Sequence, residues 1–230
     1  MKVFDFEEDR EKDTYIEIMP LFFRLQHLIL MITVIVLALS GFTILFHRTG
    51  ASEILVAMEG GFEMRGLLHR SSAIVLVALI FYHLFYVLFT REGREEFEKL
   101  KLKKKDFTDF YDVIRFALRL GDDYPDLDRY SYKEKFQYWG VNAGLMVMVL
   151  SGLILWFESV SMQVFPKWFL DIILIIHGYE GMIVFIILLL WHLYNVHFSP
   201  GNFPMNRVWI TGKIDREILL KDRPGFADKK

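Results

Sequence analysis

All seven histidines of this 230-residue chain (His27, His47, His69, His83, His177, His192 and His197) lie in or at the ends of long apolar segments. An ionisable side chain inside a membrane costs about 2.5 kcal/mol or more, so several together need a chemical reason. Spacing supplies one. His69 and His83 are fourteen residues apart, and His177 and His192 fifteen. On a helix these offsets return to within about 40–60° of one face and separate the members by about 21–23 Å along the axis. His69 with His177 near one membrane face, and His83 with His192 near the other, then make two stacked sites built from facing helices. His27, one turn inside the first segment, adds a third imidazole at the second level. His47 and His197 sit at segment ends, where an amphipathic side chain reaches the interface readily. His197 is also a candidate for proton or quinone chemistry.

Opposed pairs at two depths do not suit a lone metal ion, because zinc and copper gather three or four ligands around one point. They suit bis-histidine haem b, which takes two axial imidazoles from opposite sides and an apolar slot. The chain has no cysteine, which removes disulfides, Cys-ligated zinc, iron–sulfur clusters and covalent c-type haem. His69, His177, His192, His27 and His83 are therefore the candidate iron ligands. Gly41, Gly144, Gly152, Gly178 and Gly181 are placed either for a macrocycle to approach a helix backbone or for tight helix contact in lipid. Arg70, directly after His69, pairs with haem propionates in one reading and is a plain positive flank in the other.

The elements that position these residues follow from hydropathy. The chain is 53% hydrophobic and 24% charged, with a mean hydropathy of +0.29, more apolar than one soluble core of this size accommodates. Four apolar blocks cover about residues 21–46, 66–90, 136–158 and 171–198. Each supplies the roughly 20 residues a membrane-crossing helix needs. A soluble helical bundle would show polar faces, which these blocks lack. The expected fold is an all-α integral membrane bundle of four transmembrane helices. It divides into an N-terminal segment (1–20), a membrane domain (21–200) with a connecting loop (91–135), and a tail (201–230). Basic residues crowd that loop, from Arg91 to Lys105, and the tail, from Arg207 to Arg223. Both termini and the loop therefore read as cytoplasmic. The acidic stretch from Glu7 to Asp13 does not oppose this, and no signal peptide is evident. In the loop, Phe107, Phe110, Ile114 and Ala117/Leu118 recur at helical spacing against Asp106, Asp109, Asp112, Arg115 and Arg119, with Gly121 as a stop. That pattern fits an amphipathic helix on the cytoplasmic membrane face or packed on a partner. No internal repeat, phosphate loop, nucleophile elbow or nucleic-acid footprint is evident.

In order along the chain, several motifs resemble the bacterial membrane cytochromes b that serve as gamma subunits of formate dehydrogenases and hydrogenases. They are Arg24-Leu-Gln-His27, Leu39-Ser-Gly-Phe42, His69-Arg70, Tyr138-Trp139, Leu150-Ser-Gly152, His177-Gly-Tyr-Glu-Gly181, Trp191-His192, Phe203-Pro-Met-Asn206 and Thr211-Gly212. The resemblance implies an outer haem on His69 and His177 and an inner haem on His27 and His192. It brings Arg24 into the cofactor-binding set beside Arg70. The second span, from His69 to His83, looks more like the cytochrome b of quinol–cytochrome c oxidoreductases, where the inner haem lies between spans two and four. The inner partner of His192 is thus His27 or His83, and a third haem is conceivable. The family's quinone contacts lie near the entry to span three, which makes Ser131, Glu134 and Lys135 quinone candidates. Glu180 is a further proton-relay candidate because it lies within a span, where it would otherwise salt-bridge Arg70.

These features define an expected function. The chain passes electrons through b haems, across the bacterial inner membrane, between a periplasmic partner and menaquinone or ubiquinone. The resemblance implies that this partner carries iron–sulfur clusters or several haems. Primary catalysis belongs to that partner. Two other classes are weighed against it: a stand-alone di-haem quinol-linked oxidoreductase acting on a small acceptor, and a haem-free anchor or transporter. Transport is weakened by the absence of an inverted repeat.

Overall fold

A computed structural model describes residues 14–121, 123–199 and 202–223. The acidic stretch from Glu7 to Asp13 lies outside the described residues, as do positions 224–230 of the tail. The first described strand is β1 (Tyr15–Glu17), followed by α1 (Leu21–Leu45), α2 (Gly50–Met58) and α3 (Phe62–Phe89). Next come α4 (Arg91–Leu100), α5 (Lys104–Ala117), α6 (Tyr132–Trp156), α7 (Glu158–Val164) and α8 (Lys167–Ile187). Two π-wound turns, Leu188–His192 and Tyr194–Phe198, continue α8. The chain then forms α9 (Val208–Thr211), β2 (Lys213–Asp215) and α10 (Arg216–Asp222).

Among the described residues, four helices are long and apolar enough to cross a membrane: α1, α3, α6 and the extended α8. Three begin earlier than hydropathy alone indicates, each for a local reason. Gly60 and Gly61, at φ 89 and 99, turn the chain so that α3 starts at Phe62. Pro166 is extended and directly precedes α8 at Lys167. Ser131 and Glu134 cap the start of α6: the Glu134 carboxylate accepts from the Ser131 N–H at 2.9 Å, and Ser131 Oγ accepts from the Lys133 N–H at 3.3 Å.

Contacts divide the chain into two units: residues 26–85 with 140–205, and residues up to 25 with 86–139 and 206 onward. The first unit holds the membrane-spanning bundle. Its outward residues are apolar, Phe81, Leu84 and Leu190 among them, as lipid contact requires. Its buried positions are largely small or polar, including Thr33, Ser40, Thr43, Ser151 and Ser161. α3 and α8 cross in the same direction, which brings the histidine near the start of each to one level. Two halves of the bundle share a plan that the sequence reading does not find. Ser52 of α2 donates to the Thr43 carbonyl at 2.6 Å, and Ser161 of α7 donates to the Ile154 carbonyl at 2.8 Å. Each accepting carbonyl lies three residues beyond a buried serine, Ser40 or Ser151.

In the second unit, β1 pairs antiparallel with β2, Ile16 opposite Ile214. Arg129 donates to the Ile18 carbonyl at 2.9 Å and to Glu96 at 3.3 Å. Arg223 holds Glu134 at 2.5 Å. The segments before span one, between spans two and three, and after span four are thus tied together. Burial, and the Glu96 carboxylate that accepts its proton at 2.8 Å, push the Tyr130 phenol above its usual range. The connection from span two to span three contains an extra helix, α4, capped by Thr90, which accepts from the Gly93 N–H at 3.0 Å. The expected amphipathic helix is α5, but its acidic face is the buried one. Asp106 and Asp109 are buried, whereas Phe107 and Phe110 stay partly exposed against Phe136. The burial is tolerated because Lys135 meets Asp106 at 2.7 Å and Lys105 meets Asp109 at 2.6 Å. α5 ends through Arg119, at φ 58, rather than at Gly121.

Candidate functional site

His69 on α3 and His177 on α8 face each other with ring centroids 6.3 Å apart. Each is held by a serine on a neighbouring helix. Ser40 Oγ lies 2.8 Å from His69 Nδ1, and Ser151 Oγ lies 2.8 Å from His177 Nδ1. Both hydroxyls spend their only proton on a carbonyl of their own helix, Val36 and Val147, at 2.6 Å. A carbonyl oxygen cannot donate, so each imidazole must donate through Nδ1–H to its serine. Nε2 of both rings is then the unprotonated nitrogen, the form a metal ligand needs. Glycines follow both serines. A Cβ on Gly152 would stand 3.1 Å from His177 Cε1, and one on Gly41 would stand 3.6 Å from His69 Cε1. Gly144, Gly178 and Gly181 instead face Val184, Leu45 and Met148, which is helix packing.

At the second level, His27 on α1 faces His192, with ring centroids 6.0 Å apart. The π winding matters here. A uniform α-helix would leave His192 about 60° from the azimuth of His177, whereas four steps at about 80° bring it back within about 20°. His83 is oriented differently: its Nδ1 donates to Gln26 Oε1 at 2.8 Å. The expectation that pairs His83 with His192 therefore meets a geometry in which His27 stands opposite His192. His27 Nδ1 and His197 Nδ1 are buried without a hydrogen-bond partner among the described residues. His47 Nδ1 lies 3.0 Å from the Ile44 carbonyl at the end of α1.

The charged candidates separate. Arg70 is exposed and stands over the Trp156 ring at 5.6 Å; the expected salt bridge to Glu180 does not form. Glu180 is half-buried, makes no hydrogen bond or ion pair among the described residues, and lies 3.3 Å from where a Gly144 Cβ would be. Arg24 donates through Nη1 to the Ile210 carbonyl, which ties it to the tail. Ser131 and Glu134 cap α6, Glu134 is held by Arg223, and Lys135 is buried against Asp106. Sequence reasoning misses Ser40, Ser151, Gln26 and Arg65 as site residues. The signal available for the serines is the twin tripeptide Leu39-Ser-Gly41 and Leu150-Ser-Gly152.

Two imidazoles that share one metal through Nε2, each about 2 Å from it, have ring centres about 6 Å apart. Both observed pairs match that span. No group of three or more His, Cys, Asp or Glu side chains suited to a metal ion occurs among the described residues. Paired imidazoles, ring-facing glycines and an apolar exterior fit iron porphyrin, and they define a multi-pass membrane cytochrome b. The chain belongs to the prokaryotic cytochrome b561 family, whose model matches residues 18–200, and haem b is its prosthetic group. It is also similar to the cytochrome b556(Fdn) subunit of nitrate-inducible formate dehydrogenase from Escherichia coli K12, E. coli O157:H7 and Shigella flexneri. Each is 24% identical over 199 residues, covering 86% of this chain and 83% of the relative.

Proposed function

We propose that this chain is the membrane cytochrome b subunit of a respiratory complex and carries electrons between a periplasmic redox partner and the quinone pool of the bacterial inner membrane. The observation that carries the reading is the pair of opposed imidazole couples, 6.3 and 6.0 Å between ring centres. His69 and His177 bind the outer b haem and His27 and His192 the inner one. A b haem, when bound, takes and releases one electron at a time. Ser40 and Ser151 hold the outer rings in the ligating tautomer. Similarity to a formate dehydrogenase subunit supports a partner that performs the primary oxidation or reduction, with iron–sulfur clusters or haems of its own as the electron contact. The basic connection and tail support cytoplasmic termini. In that orientation the 69/177 pair lies at the periplasmic end. Menaquinone or ubiquinone exchanges electrons near the inner pair. Glu180, without a partner in its span, handles protons. Ser131, Glu134 and Lys135 act by fixing the start of span three, where a quinone would dock.

The test is a reduced-minus-oxidised spectrum with pyridine haemochrome stoichiometry on the purified chain. Two b haems per chain are expected, falling to one in His177→Ala. A colourless protein after haem-replete expression overturns the reading.

A further inference from the structure

A second arginine lies one helical turn before His69, and it is the buried one. Arg65 is 9% exposed, whereas Arg70 lies on the surface of the bundle. Arg65 Nη1 donates to the Ser40 carbonyl at 2.7 Å, and its Nε is buried with no hydrogen-bond partner among the described residues. Ser40 is the residue whose hydroxyl accepts the Nδ1 proton of His69. A guanidinium this buried, with a donor unspent, is costly unless an anion meets it. Among the described residues Arg65 makes no ion pair. Glu59 lies near enough to interact through charge, but its Oε2 is itself buried without a hydrogen bond.

We propose that Arg65 binds a carboxylate of the group held by His69 and His177, and that the same side chain positions His69 by pinning the Ser40 backbone. Resting on the haem reading above, the assignment gives Arg65 two tasks in one geometry. Its free Nε–H takes a propionate oxygen by a charge-assisted bond, and its Nη1–H fixes the serine that sets the His69 tautomer. Arg70, packed on Trp156, takes neither task.

Redox titration of the haem b bands in purified Arg65→Gln, Arg70→Gln and Ser40→Ala proteins tests this. Removing a cation beside the outer haem favours its oxidised form, so Arg65→Gln shifts the outer midpoint to lower potential. Ser40→Ala removes the acceptor that makes His69 a stronger donor, so it shifts the same midpoint upward. Arg70→Gln leaves it in place. A haem-replete Arg65→Gln protein with the wild-type midpoint, or a shift produced by Arg70→Gln instead, overturns the proposal. Should Arg65→Gln lose the outer haem, Arg65→Lys, which keeps the charge, is expected to retain it; a Lys variant that also loses it reduces Arg65 to packing. A wild type without haem defeats the functional reading itself rather than this inference.

Discussion

The Ser151 hydroxyl accepts the Nδ1 proton of His177 at 2.8 Å while giving its own proton to the Val147 carbonyl at 2.6 Å. The same relation holds between Ser40 and His69. One hydroxyl on a neighbouring helix thereby fixes both the tautomer and the rotation of each ring, and the ring presents Nε2 to the other histidine.

Ser151→Ala removes the hydroxyl that accepts from His177 Nδ1–H and leaves only the Met148 carbonyl as acceptor. Losing an outer-shell partner typically weakens metal binding about 10–100-fold. Haem titration of the apoprotein should show one of two sites weakened to that extent. Unchanged affinity at both sites would remove the serine from ligand control.

His27 and His83 make opposite predictions. His27→Ala should lose the inner haem and keep the outer one, as read by pyridine haemochrome. His83→Ala should keep two haems, because His83 is oriented by Gln26. Loss of haem in His83→Ala with retention in His27→Ala would reverse the ligand assignment.

The two ring-facing glycines differ in clearance. A methyl on Gly152 comes within 3.1 Å of His177 Cε1, closer than ordinary contact, whereas one on Gly41 meets His69 at 3.6 Å. Gly152→Ala should therefore reduce outer haem occupancy and Gly41→Ala should be tolerated. Absorbance per chain of the two purified variants measures this.

Lys135 is held by Asp106 at 2.7 Å with both side chains at least nine-tenths buried. Breaking such a pair leaves an uncompensated buried charge at a cost of about 3–5 kcal/mol. Lys135→Met should lower the thermal unfolding temperature in detergent, and Lys135→Met with Asp106→Leu should recover most of it. A double variant as unstable as the single one would refute the charge-burial account.

Glu180 lies half-buried within α8 without a partner among the described residues. Glu180→Gln, nearly isosteric, should slow quinone turnover while leaving haem content intact. Wild-type turnover and wild-type haem potentials together would take the residue out of proton handling.

Composition and spacing determine much of this protein directly. Four apolar blocks can only be helices, because backbone groups in lipid must be satisfied within the segment. The absence of cysteine, with histidines returning to one face every fourteen or fifteen residues, narrows the prosthetic group from sequence alone. Internal spacing makes His83 the counterpart of His192, yet His27 stands opposite His192. The extra residue in α8 is absorbed by π winding, which no periodicity in the sequence marks. Ser40, Ser151 and Arg65 remain hidden for a related reason: their partners lie 25–29 residues away, on other helices. The acidic face of α5 turns inward only because Lys135, on another helix, is there to neutralise Asp106. Secondary structure in a membrane follows from the local need to satisfy the backbone. The choice of partner for each buried polar group depends on which helices meet, and tertiary packing alone decides that.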